Sequence, residues 1–406
     1  MPPSQTPPPI VPDSSDAQTN TQITQTDNQY DITGGARSAG EAPNLFHRFE
    51  RFNVEVNGTA NFVTPADVAN VINLIDSAEA STIDGLLQVT GASANLYLIN
   101  PAGVIFGQTA RLNLPANLVV STADQLLFDQ QALAVEDGSG YAALTGAPAA
   151  YRFTSETPAT IENAGMLAVT PGQQILLMGG TVQNDGTLSA RGGQVTLAAV
   201  PGEHTVRLSR TDGVLSLELD PTALNAKPLA LTALPVHLTG GAIAEASEML
   251  ASAEGVQLVS AEATPAAESA QTAASFAPDL TQPGTILVRG TIDVGNQVGG
   301  EANLIGDQIV LLGANIEASG EQTGGQISMG GQPASTGLSA VYVFVDRESQ
   351  LSTASSLGSG GDILIWSDDT ALFYGTANTE GAVEDGTFTI DAQNRLERLA
   401  PRNRQR

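Results

Sequence analysis

The sequence predicts an all-β fold, a single-chain parallel β-helix in which short strands stack in successive coils. Segments alternate between two faces, as in GQVTLAAV, where Val195, Leu197 and Ala199 share one face. Glycine makes up 42 of the 406 residues and charged residues only 15%, against roughly 25% in ordinary globular domains. Gly-Gly pairs separate many of the segments, and they lie at 179–180, 192–193, 299–300, 324–325 and 360–361. Segments with one apolar face and turn-rich ends bury that face by stacking.

Composition narrows the classes of function. The 43 acidic residues outnumber the 16 lysines and arginines, and the net charge of −27 argues against nucleic acid or an anionic membrane as partner. The apolar runs are too short for a transmembrane segment, and the Pro-rich start does not resemble a signal peptide. We therefore expect neither a transmembrane segment nor a signal peptide in this chain. Cysteine is absent and His47, His204 and His237 are scattered, so we expect no metal and no cofactor.

Changes in composition divide the chain into five segments. These are a disordered Pro-rich lead-in at 1–18, a β-helix domain at 19–240, a partly disordered Ala/Glu/Ser-rich insertion at 241–283, continued β-helix coils at 284–392, and a basic C-terminal tail at 393–406.

The stretch NLYLINPAGVIFG, residues 95–107, predicts two strands. Its first half places Leu96 and Leu98 on one face and Tyr97 and Ile99 on the other, which is the period of a strand.

A turn separates these two strands. Pro101 has no N–H to donate and Gly103 tolerates positive φ, so Asn100, Pro101, Ala102 and Gly103 have the chemistry of a turn. Extended structure resumes at Val104.

One segment predicts a short helix instead, TPADVANVINLID at 64–76. Thr64 could cap it and Pro65 suits its first turn. Its apolar residues recur at helical spacing, at Val68, Val71, Ile72 and Ile75.

The sequence contains few groups of residues that could catalyse a reaction. A polysaccharide-cleaving β-helix enzyme would need clustered carboxylates on adjacent coils, and Asp368 with Asp369 is the best candidate. Two adjacent Asp residues are also common in turns, so we expect no enzyme. A carbohydrate-binding or polysaccharide-cleaving β-helix protein remains the alternative.

Several long motifs follow one another along the chain. They are NLFHRFERFNV (44–54), TANF (59–62), STIDGLLQVTGASANLYLINPAGVIFG (81–107) and RLNLPANLVVSTAD (111–124), followed by TVQNDGTLSARGGQVTLAAVPGEHTVRLS, VGGEANLIGDQIVLLGANIEASG and GGDILIWSDDTALFYG. The first four resemble the N-terminal secretion domain of the filamentous haemagglutinin family, the passenger proteins of two-partner secretion, and the later three resemble the downstream part of its cyanobacterial-type members. They occur in the family's order over residues 20 to 375, which makes the resemblance specific.

The resemblance implies a right-handed parallel β-helix with an N-terminal β cap, and it makes residues 19–240 the secretion domain. It implies recognition of that domain by the POTRA modules of an outer-membrane transporter barrel. The family motif Asn-Pro-Asn-Gly is matched at Asn100, Pro101 and Gly103, and this chain departs from it at Ala102.

Two interpretations of this motif stay open: a tight corner between coils, or a corner that also takes part in recognition. Recognition by strand addition would use main-chain bonds and alternating side chains. The candidates for it are Asn100, Pro101, Gly103, Leu96, Leu98 and Ile99, followed by Asn44, Phe46, His47 and Phe49. Phe46 and Phe49 also fit a role in the core or cap.

The sequence therefore predicts a non-enzymatic passenger protein, secreted to the exterior or cell surface of a Gram-negative-type bacterium, with an adhesin-like role. Its expected partners are the transporter and a cell-surface or glycan receptor, and the adhesin role rests on the resemblance alone.

Overall fold

The structure is a computed structural model that describes residues 8–129, 131–211, 214–219, 248–252, 255–259, 275–276, 282–331 and 339–398. The chain divides into two compact units. One unit comprises residues 1–220 and 282–406, and the other comprises 221–281.

The first unit is a parallel β-helix, as predicted. Each coil contributes one strand to each of three long sheets, and strands are numbered along the chain. Sheet A contains β1 (Ile10–Pro12), β4 (Ala36–Arg37), β5 (Asn44–Phe52), β7 (Asn70–Ile75), β10 (Asn95–Ile99), β13 (Leu118–Ser121), β19 (Gln174–Gly179), β22 (Gln194–Ala199), β31 (Glu301–Ile305), β35 (Gln326–Met329), β38 (Asp362–Ser367) and β41 (Phe388–Ala392).

The other two long sheets complete the wall. Sheet B contains β2 (Gln22–Thr26), β3 (Gln29–Thr33), β6 (Thr59–Val63), β9 (Leu86–Thr90), β12 (Arg111–Asn113), β18 (Met166–Ala168), β21 (Thr187–Ser189), β29 (Thr291–Asp293), β33 (Asn315–Glu317), β37 (Gln350–Ser352) and β40 (Thr376–Asn378). Sheet C contains β8 (Ser81–Ile83), β11 (Val104–Phe106), β17 (Thr160–Asn163), β20 (Thr181–Asn184), β28 (Thr285–Val288), β32 (Gln308–Leu311), β36 (Tyr342–Val345), β39 (Thr370–Phe373) and β42 (Arg395–Arg398).

Smaller elements do not belong to the three long sheets. The antiparallel sheet D contains β14 (Gln125–Phe128), β15 (Gln131–Ala134), β16 (Ala150–Phe153), β23 (His204–Thr211) and β24 (Val214–Leu219). A 3-10 turn spans Tyr141–Ala143, and β30 (Asn296–Val298) pairs with β34 (Gly320–Thr323). The second unit holds a sheet of its own, with β25 (Glu248–Ser252), β26 (Gly255–Val259) and β27 (Ser275–Phe276).

Antiparallel strands cap the N-terminal end of the β-helix. β1 and β4 both pair antiparallel with β5, and β2 forms an antiparallel hairpin with β3. From β5, β3 and β8 onward, each sheet continues through parallel pairs.

Two apolar clusters hold the first unit together. One fills the interior of the β-helix and includes Leu96, Leu98 and Val104. The other lies between the outer face of sheet A and sheet D, and includes Tyr97 and Ile99. The strand that places Leu96 and Leu98 on one face and Tyr97 and Ile99 on the other therefore has both faces buried.

Four of the five Gly-Gly pairs, from 192–193 onward, mark a corner where neighbouring coils nearly touch. A Cβ on Gly300 would lie 2.2 Å from the carbonyl oxygen of Gly193, and one on Gly325 would lie 2.1 Å from that of Gly300. The same holds at 1.9 Å for Gly361 against Gly325 and for Gly386 against Gly361. Only glycine fits this column, because backbone occupies the space where a side chain would begin.

The helix predicted over 64–76 is wrong. A turn follows Thr64, in which Val68 N donates to Pro65 O (3.1 Å), and β7 is a strand. Val71 faces the interior while Ile72 faces sheet D. A strand buried on both faces has apolar residues at helix-like spacing, so the period alone could not separate the two structures.

The lead-in differs from the prediction in its second half. Ile10–Pro12 forms β1, and Asp13 pairs with Arg48, so disorder does not extend over 1–18 as predicted. Residues 1–7 lie outside the described residues. Most of the insertion at 241–283 and residues 399–406 of the basic tail lie outside them as well, whereas Arg395–Arg398 of that tail forms β42. The other segment boundaries stay predictions.

Candidate functional site

The turn at Asn100 is a closed corner between sheets A and C. The Asn100 carbonyl accepts from Gly103 N (3.0 Å), and its side-chain Oδ1 accepts from Ala102 N (2.9 Å). Its Nδ2 reaches the preceding coil, where it donates to Glu79 O (3.2 Å) and to Ser81 Oγ (3.0 Å). Asn100 is fully buried, so its amide both shapes the turn and ties two coils together.

Position 102 contributes only backbone to this corner. The bond from Ala102 N to Asn100 forms with any residue there except proline, so the departure from the family motif leaves the geometry intact. Gly103 has φ of 115°, and a Cβ there would lie 3.0 Å from Thr160 O in the next coil. Glycine is therefore required at 103 for both conformation and space.

The strand before the turn lies in the middle of sheet A. β10 pairs in parallel with β7 on one side and β13 on the other. Leu96, Leu98 and Ile99 are fully buried, the first two inside the β-helix and Ile99 under sheet D.

Asn44 and Phe46 lie at the start of β5, on the outer face of sheet A. Asn44 Nδ2 donates to Leu144 O and to Gly146 O, both at 2.7 Å, and so fastens the segment between β15 and β16 to the first coil. The Phe46 ring lies 5.0 Å from that of Tyr141 and is fully buried.

His47 and Phe49 point into the β-helix from the same strand. The His47 ring lies 6.2 Å from the Phe49 ring and 6.1 Å from the Phe62 ring, and Nδ1 is 3.2 Å from Thr21 Oγ1. Burial in this apolar end lowers the pKa of His47 to about 3, so the ring is neutral at physiological pH.

The candidates do not form one exposed surface. The seven strand candidates are each no more than 1% exposed; they are Asn44, Phe46, His47, Phe49, Leu96, Leu98 and Ile99. At the turn, Pro101 and Ala102 are partly exposed and Gly103 is buried. A partner that contacts the folded chain here meets mainly the corner, whereas one that contacts the unfolded chain meets every candidate.

Polar side chains at the start of successive strands form a column along sheet A, here called the polar column, which the sequence analysis did not predict. Asn70 Nδ2 donates to Asn44 Oδ1, and Asn95 Nδ2 donates to Asn70 Oδ1, both at 2.8 Å. Asn95 Oδ1 accepts from Asn117 N (3.2 Å), and Asn117 Oδ1 accepts from Gln174 N (2.7 Å). An asparagine before each apolar run, in NLFHRF, NVINLI, NLYLI and NLVVS, is the sequence signal that could have revealed it.

Asp368 and Asp369, the carboxylates considered for catalysis, accept hydrogen bonds at a corner between coils. Asp368 accepts from Ser339 Oγ, Trp366 Nε1 (3.1 Å) and Gln393 Nε2 (3.2 Å). Asp369 accepts from Asn394 Nδ2 (2.6 Å). Both side chains join neighbouring coils, which is the corner role expected for paired Asp residues.

A comparison with known protein families identifies the family of this chain. The model of the TPS secretion domain matches residues 9–226, which are more than half of the chain and include all ten candidate recognition residues. The chain belongs to the TPS secretion domain family. Two-partner secretion is the export route of the passenger proteins that carry a TPS domain, and it involves a transporter partner.

A solved TPS secretion domain shares the fold. The HMW1 secretion domain from Haemophilus influenzae matches with a TM-score of 0.50 at 17% identity, over 94% of this chain and 95% of that one. A filamentous hemagglutinin secretion domain matches with a TM-score of 0.36 at 14% identity, over 95% of this chain and 96% of that one. No curated protein matches the sequence. In the part of the chain that the structure describes, we find no helix with the length and hydrophobicity of a membrane span.

Proposed function

We propose that this TPS domain directs export of a passenger by presenting residues 44–49 and 95–103 to the POTRA modules of an outer-membrane transporter before the β-helix forms. The burial of the strand candidates supports this order of events, because side chains that are at most 1% exposed can be bound only in the unfolded chain.

The main chain supports the same order. β10 is paired on both sides in the folded protein, so it has no free edge to offer a partner strand. In the unfolded chain the main-chain groups of the same segment are unpaired. The segment can therefore add as a strand to a sheet edge of a POTRA module, with its side chains alternating between the two sides. Folding into coils then releases the partner, since the coils use the same hydrogen bonds.

Binding of the unfolded chain to isolated POTRA modules tests this proposal without interference from folding. The test variant has residues 95–103 scrambled, and the control has 362–370 scrambled, which is a strand and turn of equal length in the same sheet. We expect the first to weaken binding at least about tenfold and the second to leave it unchanged. Equal loss in both variants would contradict the proposal.

Export provides the second test. Deletion of residues 30–110 should abolish secretion in cells that express the partner transporter. Secretion that continues after this deletion would falsify the assignment.

We further propose that the exported protein lies outside the cell or on the surface of a Gram-negative-type bacterium, has no catalytic role, and acts like an adhesin. The family supports this role, with a cell-surface or glycan receptor as partner. Binding of the folded chain to glycan arrays and cell surfaces, compared with an equally acidic control protein, measures it. Turnover of any polysaccharide by the purified chain would contradict it.

A further inference from the structure

A buried arginine joins three parts of the chain that are far apart in sequence. Arg48, on the outer face of β5, is 3% exposed, and its Nε lies 3.1 Å from Asp13 Oδ2 and 3.8 Å from Asp16 Oδ2. Its Nη2 donates to Glu136 O (2.8 Å) and lies 3.5 Å from Asp76 Oδ2. A guanidinium removed from water needs such partners to offset its desolvation.

Residues 10–19, here the N-terminal latch, depend on this arginine. Asp13 N donates to Arg48 O (3.0 Å), and Asp16 Oδ2 accepts from Tyr141 Oη (2.6 Å). Ile10 enters the interior cluster, and β1 covers the outer edge of β5, with Ile10 opposite Phe52 and Pro12 opposite Phe49.

The socket for the latch is built from residues that are far apart in the sequence. Besides Arg48 it consists of Asp76, the Glu136 carbonyl and Tyr141, and the last two follow β15. Gly138 completes it, because a Cβ there would lie 2.7 Å from Arg48 Nη1 and 2.6 Å from Tyr141 Oη. The first residues of the domain therefore contact residues more than one hundred positions later, and long-range contacts of this kind form slowly.

We propose that the outer edge of β5, residues 49–52, is a strand-pairing surface that stays open during folding, and that the N-terminal latch closes over it last, once Glu136 and Tyr141 complete the Arg48 socket. Until closure, the main-chain groups of β5 present an edge that fits an extended strand. This inference concerns the order of folding and does not depend on the proposed export function.

The charges around Arg48 stabilise the closed position of the latch. Although burial opposes ionisation, hydrogen bonds from Ser15 and the charge of Arg48 keep the pKa of Asp13 below its usual value. Burial raises the pKa of Asp76, although Arg48 opposes the shift. The closed latch therefore supplies Arg48 with a carboxylate that stays ionised at neutral pH.

Pulsed hydrogen exchange during refolding of the full chain tests the order of closure. The Asp13 and Asn53 amides report the latch, because they donate to Arg48 O and Pro9 O, and the Leu96 amide reports the coils. We expect protection at Asp13 and Asn53 to appear at least about tenfold more slowly than at Leu96. Simultaneous or earlier protection would overturn the proposal.

Native-state exchange of two matched variants tests the socket. Tyr141→Phe removes the hydroxyl that donates to Asp16 and keeps the ring on Phe46, so exchange at Asp13 should rise roughly tenfold with no change at Leu96. Tyr151→Phe alters another buried tyrosine, in sheet D, and should leave both sites unchanged. If Tyr141→Phe leaves Asp13 exchange unchanged, or raises it equally at Leu96, the socket does not hold the latch.

Discussion

The outer face of sheet A is apolar in the first coils and more polar in the last ones. Phe46 and Tyr97 pack under sheet D, whereas Ser328, Thr389 and Asp391 occupy the same face in β35 and β41. The interior cluster continues through both regions. Stacking therefore needs only the inner face, and the outer face of the first coils is free to carry a second core that belongs to the family-matched region.

Removal of a side chain from this second core should have the largest effect. Phe46→Ala empties a fully buried site and should lower the free energy of unfolding by about 3–5 kcal/mol. Leu364→Ala, at the equivalent position of β38, should cost about 1–2 kcal/mol, because that side chain is only partly buried. Chemical denaturation of both variants measures the difference, and equal losses would show that sheet D adds no second core.

The polar column should likewise contribute more to the free energy of unfolding in the first coils than in the last ones. Asn70→Ala leaves Asn44 Oδ1 without the donor of this bond and Asn95 Nδ2 without its acceptor, and should cost about 2–3 kcal/mol. Gln326→Ala changes a partly buried member of the same column in β35 and should stay within about 0.5 kcal/mol. Denaturation curves of the two variants that coincide would rule out a special role for the asparagines.

Acid should weaken the N-terminal end through His47. Its pKa of about 3 lies below the usual 6.5, so the unfolded chain binds the proton more tightly and stability falls as pH decreases below about 6.5. Between pH 7 and 5 this contributes a loss of about 2 kcal/mol. His47→Gln should remove that part of the pH dependence of unfolding, while His204→Gln should retain it. An unchanged slope in His47→Gln would place the pH sensitivity elsewhere.

The smallest effect is expected at the turn. Ala102→Asn restores the family motif, yet the corner bonds only the backbone of residue 102, so the free energy of unfolding should change by less than about 0.5 kcal/mol. A larger stabilisation in thermal or chemical unfolding would mean that the Asn side chain finds a partner within the folded corner.

Local patterns were enough to predict the strands, their two faces and the corner at Asn100. Alternation sorted Leu96 from Tyr97 correctly because strand period is a property of the backbone. The same logic failed at β7, where both faces are buried and Val71 and Ile72 are equally apolar.

Contacts between distant parts of the chain could not be predicted in this way. The bonds from Asn44 to Leu144 and from Arg48 to Glu136 join residues about one hundred positions apart, and neither end has a local pattern that indicates the other. The second core and the latch socket depend on such pairs. The asparagine column was different, since its repeat is visible in the sequence.

The glycine column bears on how a protein of this design changes in length. From Gly300 to Gly386, each corner meets the corners of the coils next to it, and a polar residue follows each of these glycines. A duplicated segment with the same order of residues would find a ready-made neighbour on either side, because the terms that stabilise a stack are local. Growth by whole coils would thus leave residues 9–226, which match the TPS domain, untouched, while a single inserted residue would misplace every contact in its coil.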